Sequence, residues 1–313
     1  MGDSSLTGIS GEPANEFLKK MGREHPVARG LLLWMMGRSY PVFVDYPVDP
    51  VPRYGYGKPP HPGLYRLIDA NREIYREYLG RFLEFEEQLA RIPAHSNDSE
   101  PISPSWINMW MPPLDSLALY SILSIENPAN YMEVGSGYST MVCRRAIEDH
   151  GLRTRITSVD PQPRAEIDSI CDEVIRSRVE EVDPGVFGVL GEGDVLFVDN
   201  THRVFMNSDA TAVSLDIMPT LQPGVLVHFH DIFLPFDYPP EISHRYYSEQ
   251  YLLAAYLLGG GGAVETVLPS AFISSDPELS GILAPLNRNP ALAGVRFSGW
   301  SFWIKSPAGP GGV

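Results

Sequence analysis

Two histidines and two aspartates stand directly behind two short apolar segments of the sequence. Asp199 and His202 follow the first segment, and His230 and Asp231 follow the second. A neutral imidazole accepts a proton near pH 7, and imidazoles and carboxylates together bind divalent cations. These residue types therefore predict a site for proton transfer or for a metal ion, provided that the fold brings the two segments together.

A glycine-containing turn stands further upstream. Gly135-Ser136-Gly137 follows another apolar segment, which holds Glu133, and precedes a segment of helical character. Glycines let the backbone approach a ligand closely, and the first turn of a helix presents free N–H groups. Asp160 follows 25 residues after Gly135, close to the spacing of an acid that binds ribose hydroxyls. The third glycine of the dinucleotide fingerprint is missing, which makes NAD the weaker alternative among ribose-containing cofactors.

The segments that carry these residues have the pattern of an α/β fold. Short apolar runs predict strands at Tyr131–Val134, Arg155–Val159, Glu173–Ile175, Val195–Val198 and Gly224–Phe229. Helical stretches are predicted at Thr140–Glu148, Ala165–Ile170, Asp209–Leu221 and Tyr247–Leu258. This alternation predicts a doubly wound parallel sheet, in which the carboxyl ends of the strands share one edge. The two histidines and two aspartates should therefore converge at that edge, and Val295–Ile304 is predicted as an antiparallel closing strand.

The chain before residue 129 differs from this pattern. Seven prolines exclude a helix from Tyr40–Pro62 and predict an ordered extended wrap. Apolar residues at spacings of three and four predict one long helix over Gly63–Ile92, and a shorter helix is predicted over Leu114–Ile125. The predicted organisation is an N-terminal cap over 1–128, a catalytic domain over 129–306 and a tail over 307–313.

The composition argues against several classes of protein. The chain has 39 Asp and Glu against 24 Lys and Arg, and its net charge of −15 argues against a nucleic-acid partner. It has no run of about 18 apolar residues that could span a membrane, and its polar first residues lack the pattern of a signal peptide. Two cysteines are too few for a zinc cluster or a disulfide framework. We therefore expect a cytoplasmic protein with no nucleic-acid or membrane partner.

Three motifs resemble those of the class I S-adenosylmethionine-dependent methyltransferases. Glu133–Gly137 is similar to their first motif, Ser158–Asp160 to their second and Asp194–Asp199 to their fourth. The resemblance spans about Asn130–Lys305 and includes a last strand, Gly299–Ile304, of the type that closes this fold. It implies an α/β fold, a Rossmann-like doubly wound sheet of seven strands with an antiparallel last strand, preceded by a helical and extended cap.

A narrower resemblance concerns the segments around the histidines. Asp199–His202 and Val227–Pro239 are similar to a subgroup of bacterial glycan and natural-product enzymes, and Arg53–Pro60 is similar to the leader of that subgroup. The resemblance implies methyl transfer from S-adenosylmethionine to a hydroxyl of a sugar or other natural-product small molecule. The N-terminal cap would then shape the acceptor pocket and provide a homodimer interface.

Carried over to this sequence, the family's cofactor site falls on a defined set of residues. The glycine loop would wrap the methionine part, Asp160 would hold the ribose hydroxyls, and Glu133 would lie behind the loop. Glu180 and Glu181 would flank the adenine, although a solvated acidic turn is an equally good interpretation. The implied set is Glu133, Gly135, Ser136, Gly137, Ser139, Asp160, Glu180, Glu181 and Asp199.

Two mechanisms are open for the histidines and aspartates. In the first, His202 is the general base, with His230 and Asp199 as further catalytic residues, because the acceptor hydroxyl must lose its proton. In the second, Asp199, His230 and Asp231 hold a divalent cation that acidifies the hydroxyl. Metal-dependent O-methyltransferases carry an Asp-Asn or similar acidic pair where this chain has His230-Asp231. The mixed ligands suit Mn²⁺, Fe²⁺ or Zn²⁺ at least as well as Mg²⁺.

Other interpretations stay open. The same fold could serve non-methylating chemistry, such as cyclisation, hydrolysis or oxidation, and a catalytically silent binding protein is a third hypothesis. The aromatic segment after Asp231 is either a lid over the site or packing for a buried turn. For Glu249 and Gln250, next to an apolar helix, a solvated helix face is the favoured interpretation, and for His228 a structural role.

Overall fold

The computed structural model describes residues 26–36, 42, 45–46, 48–96, 99, 101–163, 165–260 and 264–307. The chain divides into two compact units, residues 1–49 and 50–313. In the first unit, the structure describes the helix α1 (Pro26–Met35). Residues 40, 41, 43, 44 and 47 of the predicted wrap and residues 308–313 of the predicted tail lie outside the described residues.

Within the described residues of the second unit, seven strands form one mixed sheet. Their bounds are β1 (Asn130–Val134), β2 (Arg155–Val159), β3 (Glu173–Ile175), β4 (Val195–Val198), β5 (Leu226–Phe229), β6 (Glu265–Pro269) and β7 (Phe302–Lys305). The order across the sheet is β3-β2-β1-β4-β5-β7-β6. Strands β1 to β5 pair in parallel, and β7 is antiparallel to both β5 and β6. The predicted Rossmann-like α/β sheet with an antiparallel last strand is confirmed.

Helices precede the sheet and connect its strands. Those before β1 are α2 (Pro62–Asp69), α3 (Arg72–Phe82), α4 (Glu86–Leu89) and α5 (Pro113–Glu126). Those after β1 are α6 (Tyr138–His150), α7 (Asp209–Ala212), α8 (Glu249–Gly259), α9 (Ser270–Ser275), α10 (Pro277–Ile282) and α11 (Ala284–Arg288). Helix α5, from the predicted cap, packs against α6, from the predicted catalytic domain. In the part of the chain that the structure describes, no helix is both long and apolar enough to cross a membrane.

The single long helix predicted over Gly63–Ile92 is wrong. The chain forms α2, breaks at Ala70 and Asn71, and continues as α3, a 3₁₀ turn and α4. The side-chain amide of Asn71 donates to the backbone carbonyl of Leu67 (3.3 Å), which is the local competition that makes Asn a poor residue inside a helix. The apolar spacing continues across the break because the helices on both sides bury one face in the same core. Periodicity therefore located the buried face but not the helix ends.

Two predicted helices after β2 are only partly formed. Ala165–Ile170 contains no more than a 3₁₀ turn over Asp168–Ile170, since so short a segment has little helical stability of its own. The segment Asp209–Leu221, predicted as one helix, forms α7, a wider π-type turn and a 3₁₀ turn. Pro219 lies inside that last turn and has no N–H to continue an α-helix.

The last strand begins later than predicted. Val295–Ser301 has no strand geometry. The backbone N–H groups of Trp300 and Ser301 donate to the buried carboxylate of Asp115 (2.9 and 3.1 Å) instead of to a neighbouring strand. Gly299 is required beside them, because a Cβ at this position would lie 2.2 Å from the Asp115 carboxylate. A side chain from the start of α5 thus clamps this segment, and no local pattern indicates such a contact.

Candidate functional site

The loop between β1 and α6 lies against the backbone that follows β4. Gly135 has φ +83°, and a Cβ at this position would lie 1.9 Å from the carbonyl oxygen of Asp199. Glycine alone accepts both this backbone conformation and this contact. The loop is therefore held beside the end of β4, where the histidines and aspartates begin.

Asp160 ties the end of β2 to the same loop. Its Oδ2 accepts a hydrogen bond from the backbone N–H of Ser136 (2.8 Å), and its Oδ1 accepts one from the backbone N–H of Gln162 (2.7 Å). Each carboxylate oxygen has two acceptor sites, so both keep the capacity to bind ligand hydroxyls. The protein itself thus fixes the position of this carboxylate.

A cleft of about 420 Å³, here named the wide cleft, runs past this carboxylate. Its wall includes Gly135, Ser136, Asp160, Glu180 and Asp199. The volume falls within the range of roughly 300–1,000 Å³ that is usual for small-molecule sites. Of the two acids expected beside an adenine, Glu180 lies at this cleft, whereas Glu181 is exposed and does not line it.

Glu133 lies behind the glycine loop. It is fully buried and accepts hydrogen bonds from the hydroxyls of Ser139 (2.9 Å), Tyr131 (3.1 Å) and Thr140. Burial raises the pKa of Glu133 from 4.5 to about 7, although these hydrogen bonds favour the charged form. Glu133 therefore fastens the first turn of α6 to β1.

The four predicted histidine and aspartate side chains lie together at the ends of β4 and β5. His202 Nε2 lies 3.2 Å from Asp199 Oδ1 and 3.5 Å from Asp231 Oδ2. His230 Nδ1 lies 3.5 Å from Asp231 Oδ1 and 3.9 Å from Asp199 Oδ1. We refer to these four residues as the rim cluster. Parallel pairing of β4 with β5 brings them to one edge of the sheet.

A fifth residue, Glu249, holds His202 from the other side. Glu249 Oε2 lies 3.0 Å from His202 Nδ1, and its Oε1 accepts a hydrogen bond from Asn200 Nδ2 (2.5 Å). The side-chain oxygen of Asn200 in turn accepts the backbone N–H of His202 (2.7 Å). Glu249 is 1% exposed and Gln250 is 0% exposed, so the solvated helix face favoured from the sequence is wrong. Because Glu249 lies in the first turn of α8, the helix dipole also favours its negative charge.

The surroundings of His202 favour its charged form. Its side chain is buried, and burial alone would lower its pKa. Hydrogen bonds to the carboxylates of Asp199 and Glu249 outweigh burial and raise the pKa of His202 well above its ordinary value of 6.5. The imidazole thus lies among three carboxylates that favour its protonated form, since Asp231 is also close.

The structure gives no support to the predicted metal site. Among the described residues, no group of three or more His, Cys, Asp or Glu side chains is arranged so that it could hold a metal ion. The carboxylates of Asp199 and Asp231 lie instead beside Nε2 of His202. The predicted cation at Asp199, His230 and Asp231 therefore has no set of ligands here.

A smaller cavity of about 110 Å³, here named the small cavity, shares Ser136 and Asp199 with the wide cleft. The larger apolar and aromatic side chains in its wall are Trp110, Met111, Tyr138, Met141 and Phe197, and Ala165 and Gly137 of the glycine loop complete this part of the wall. The polar side chains in its wall are Ser136, Ser139, Asp199 and His230. Asp199 is thus the residue of the rim cluster that lines both spaces.

His228 and the aromatic segment after Asp231 are packed elements. The His228 ring is fully buried and stacks on Phe197 (3.9 Å between centroids), and burial lowers its pKa well below the ordinary value. Phe233 and Tyr238 belong to a small buried cluster of their own. The backbone N–H groups of Arg53 and Tyr54, in the Pro-rich segment, both donate to Oδ2 of Asp237 in the aromatic segment (2.5 and 2.9 Å). These side chains pack inside the protein and do not form a lid over the site.

A protein-family model described as "Methyltransferase domain" matches residues 132–232. The match supports a methyltransferase. It includes the glycine loop, Asp160 and the whole rim cluster, and the sheet around them is consistent with a Rossmann-like methyltransferase fold. The comparison with curated proteins gave no match.

Two residues at the candidate site lie outside the matched range and were missed in the sequence. Glu249 opens α8, and its partner His202 lies 47 positions earlier, so no local pattern in the sequence indicates its burial. Trp110 lies in a loop without secondary structure, and its place in the small cavity depends on contacts that are distant in sequence.

Proposed function

We propose that the protein is an S-adenosylmethionine-dependent O-methyltransferase that acts on a hydroxyl group of a small molecule. The observation that carries the proposal is the wide cleft, where the glycine loop and the fixed carboxylate of Asp160 meet beside the rim cluster. Asp199 lines both the wide cleft and the small cavity, so a donor in the first and an acceptor in the second would meet at this residue.

The wide cleft suits S-adenosylmethionine in both its volume and its polar groups. Gly135 lets the ligand approach the backbone, Asp160 would hold the ribose hydroxyls, and Glu180 would face the adenine. When bound, the cofactor supplies a methyl group on a positively charged sulfur. The acids in the wall, among them Asp199 and Asp209, favour such a cation.

The acceptor proton would pass through Asp199 to His202. Because Glu249 accepts the hydrogen bond of Nδ1–H, Nε2 is the nitrogen of His202 that exchanges the mobile proton. Nε2 lies 3.2 Å from Asp199 Oδ1, so a hydroxyl bound at Asp199 has a hydrogen-bonded path to a strong base. This path requires that His202 first loses its resting proton, and turnover should therefore rise with pH. The rim cluster does not fit a metal ion, and no step of the proposal uses one.

Calorimetric titration with S-adenosylmethionine tests the cofactor half of the proposal. We expect micromolar binding that weakens about ten- to hundredfold in Asp160→Ala, since a hydrogen bond to a charged group contributes about 1.5–3 kcal/mol. Glu148→Ala, which removes an exposed acid on α6, is the control and should bind as the wild type does. A wild-type protein that shows no binding would overturn the proposal.

Release of S-adenosylhomocysteine with a panel of hydroxylated acceptors tests the chemistry. Cofactor binding without release by any acceptor would favour a non-methylating reaction in the same fold. Treatment with EDTA should leave turnover unchanged. If EDTA abolishes turnover and added Mg²⁺, Mn²⁺ or Zn²⁺ restores it, the proton path is contradicted and a metal ion at the rim cluster is supported.

A further inference from the structure

The small cavity has the size and the walls of a site for one flat ring. Its volume of about 110 Å³ is of the same order as the roughly 150 Å³ of an engineered protein cavity that holds benzene. Apolar or aromatic groups of Trp110, Met111, Tyr138, Met141 and Phe197 form most of its wall. Such walls favour an aromatic ligand through burial of apolar surface and through ring contacts.

The polar groups of the small cavity are few, and all four already have partners within the protein. The Ser136 hydroxyl forms a hydrogen bond with the Ser158 hydroxyl (2.7 Å), and the Ser139 hydroxyl donates to Glu133 (2.9 Å). Asp199 and His230 are the other two polar side chains in the wall. A sugar ring in this space would bury hydroxyls against apolar surface, and each hydroxyl left unpaired would weaken binding about tenfold or more. A ring with one or two hydroxyls avoids that cost.

The indole of Trp110 is largely exposed, whereas hydrogen bonds hold the backbone of the loop around it. The indole is 56% exposed, whereas Met111, the next residue, is 3% exposed. Asn108 Oδ1 accepts the backbone N–H groups of Trp110 and Met111 (2.8 Å each), and its Nδ2 donates to the carbonyls of Ser105 and Met111 (3.1 Å each). The hydroxyl of Tyr138, at the start of α6, bonds to the backbone of Ser105. The indole of Trp110 therefore lines the small cavity with part of its surface and exposes the rest to solvent.

We propose that the acceptor is a hydroxylated aromatic ring, a phenol or a catechol, and that Trp110 selects it by stacking against the ring. The inference rests on the proposed function for the methyl transfer, but the binding of the ring depends only on the small cavity. Asp199 and His230 then receive the hydroxyl edge of the ring, next to the wide cleft. Trp110 is the specificity-determining residue, and the proton path through Asp199 is the same for any ring that enters.

Turnover with matched acceptors tests this inference. We expect S-adenosylhomocysteine release with phenol or catechol and little or none with methyl glucoside. Trp110→Ala should raise KM for catechol about tenfold, because an aromatic contact contributes roughly 0.5–1.5 kcal/mol beyond burial, while the Kd for S-adenosylmethionine stays unchanged. Trp110→Phe should retain most of the affinity. Met109→Ala, which removes a neighbour that is 94% exposed and does not line the cavity, should behave as the wild type does.

Three results would overturn the inference. The first is transfer to methyl glucoside but not to phenol or catechol, and the second is an unchanged KM in Trp110→Ala. The third is an equal weakening of cofactor binding in Trp110→Ala, which would assign the small cavity to the cofactor. Saturation-transfer NMR with catechol separates this inference from the proposed function, since it needs no turnover. A catechol signal that Trp110→Ala abolishes would uphold the aromatic site even in a protein that fails to bind S-adenosylmethionine.

Discussion

The glycine loop and the rim cluster lie side by side, but they are built by different means. The loop belongs to one stretch of chain, and backbone N–H groups and the absence of a Cβ at Gly135 set its shape. The rim cluster comes from two separate segments, and Glu249, 47 positions after His202, holds it from a third, so that interactions between charged groups keep it together. The loop should therefore be sensitive to changes at the backbone, and the rim cluster to the loss of single charged groups.

The largest effect is expected at the loop. Gly135→Ala places a Cβ 1.9 Å from the Asp199 carbonyl at φ +83°, so something must shift. We expect a loss of roughly 3 kcal/mol or more in the free energy of unfolding, together with loss of cofactor binding. Gly80→Ala is the control, because a Cβ there meets nothing within 4 Å and should stabilise α3 by up to about 1 kcal/mol. Denaturant unfolding and calorimetry measure both quantities. An alanine variant with wild-type affinity for the cofactor would show that the loop is not built as described.

The next largest effect is expected at His202. Removal of a general base lowers turnover by about 10²–10⁴, and a side chain that lines neither the wide cleft nor the small cavity should leave cofactor affinity unchanged. His202→Ala should therefore lower kcat without changing the Kd for S-adenosylmethionine. His244→Ala removes an exposed histidine and serves as the control. A parallel loss of kcat and of cofactor affinity would mean that His202 supports the site structurally and does not act as its base.

The glycine loop and the rim cluster also show which features the sequence could predict and which it could not. Gly135 and Asp160 were found because a glycine turn after a buried strand, and an acid after the next strand, are local patterns with local causes. The convergence of His202 with Asp231 was expected from parallel pairing alone, because such pairing brings all strand ends to one edge.

Contacts between distant segments were beyond the reach of the sequence. Glu249 was assigned to a solvated face, because nothing near it in sequence shows that it pairs with His202. Asp115 clamps the segment before β7 from 185 residues away. The helix break at Asn71 was missed for another reason, since the apolar spacing continues through it. A pattern of apolar residues records which face is buried, whereas the partners of buried polar groups depend on the assembled fold.

A smaller effect on turnover, with a distinct signature, is expected at Glu249. The Glu249 carboxylate helps to raise the pKa of His202, so Glu249→Gln should lower that pKa. The rising limb of the kcat/KM profile, where His202 loses its proton, should then move to lower pH. The plateau should fall by up to about 100-fold, because the imidazole loses part of its orientation. Glu241→Gln, at an exposed acid, controls for the loss of one charge. If kcat/KM on the plateau falls but the rising limb stays at the same pH, Glu249 has only a structural role.

The last effect concerns Glu133, which is fully buried behind the glycine loop, and it appears in the pH dependence of stability and not in turnover. The pKa of Glu133 is about 7 in the folded protein against 4.5 for an ordinary glutamate, so the folded state binds this proton more tightly than the unfolded state. Stability due to this group is therefore full below about pH 4.5, falls as the pH rises to 7, and stays low above. At pH 8 the deficit is on the order of 3 kcal/mol.

Glu133→Gln removes this titration and keeps the shape of the side chain, and the hydroxyls around it can turn to suit the amide. The difference in unfolding free energy between Glu133→Gln and the wild type should therefore shift in favour of the variant between pH 4.5 and pH 8. Denaturant titrations at the two pH values measure it, and Glu148→Gln controls for the loss of an exposed carboxyl. An equal difference at both pH values would show that the pKa of Glu133 is the same in the folded and unfolded states, in which case its three hydroxyl donors offset burial fully. The glycine loop would then depend on a buried charge, as the rim cluster does. The remaining difference between the two would be that the loop comes from one stretch of chain and the rim cluster from separate segments.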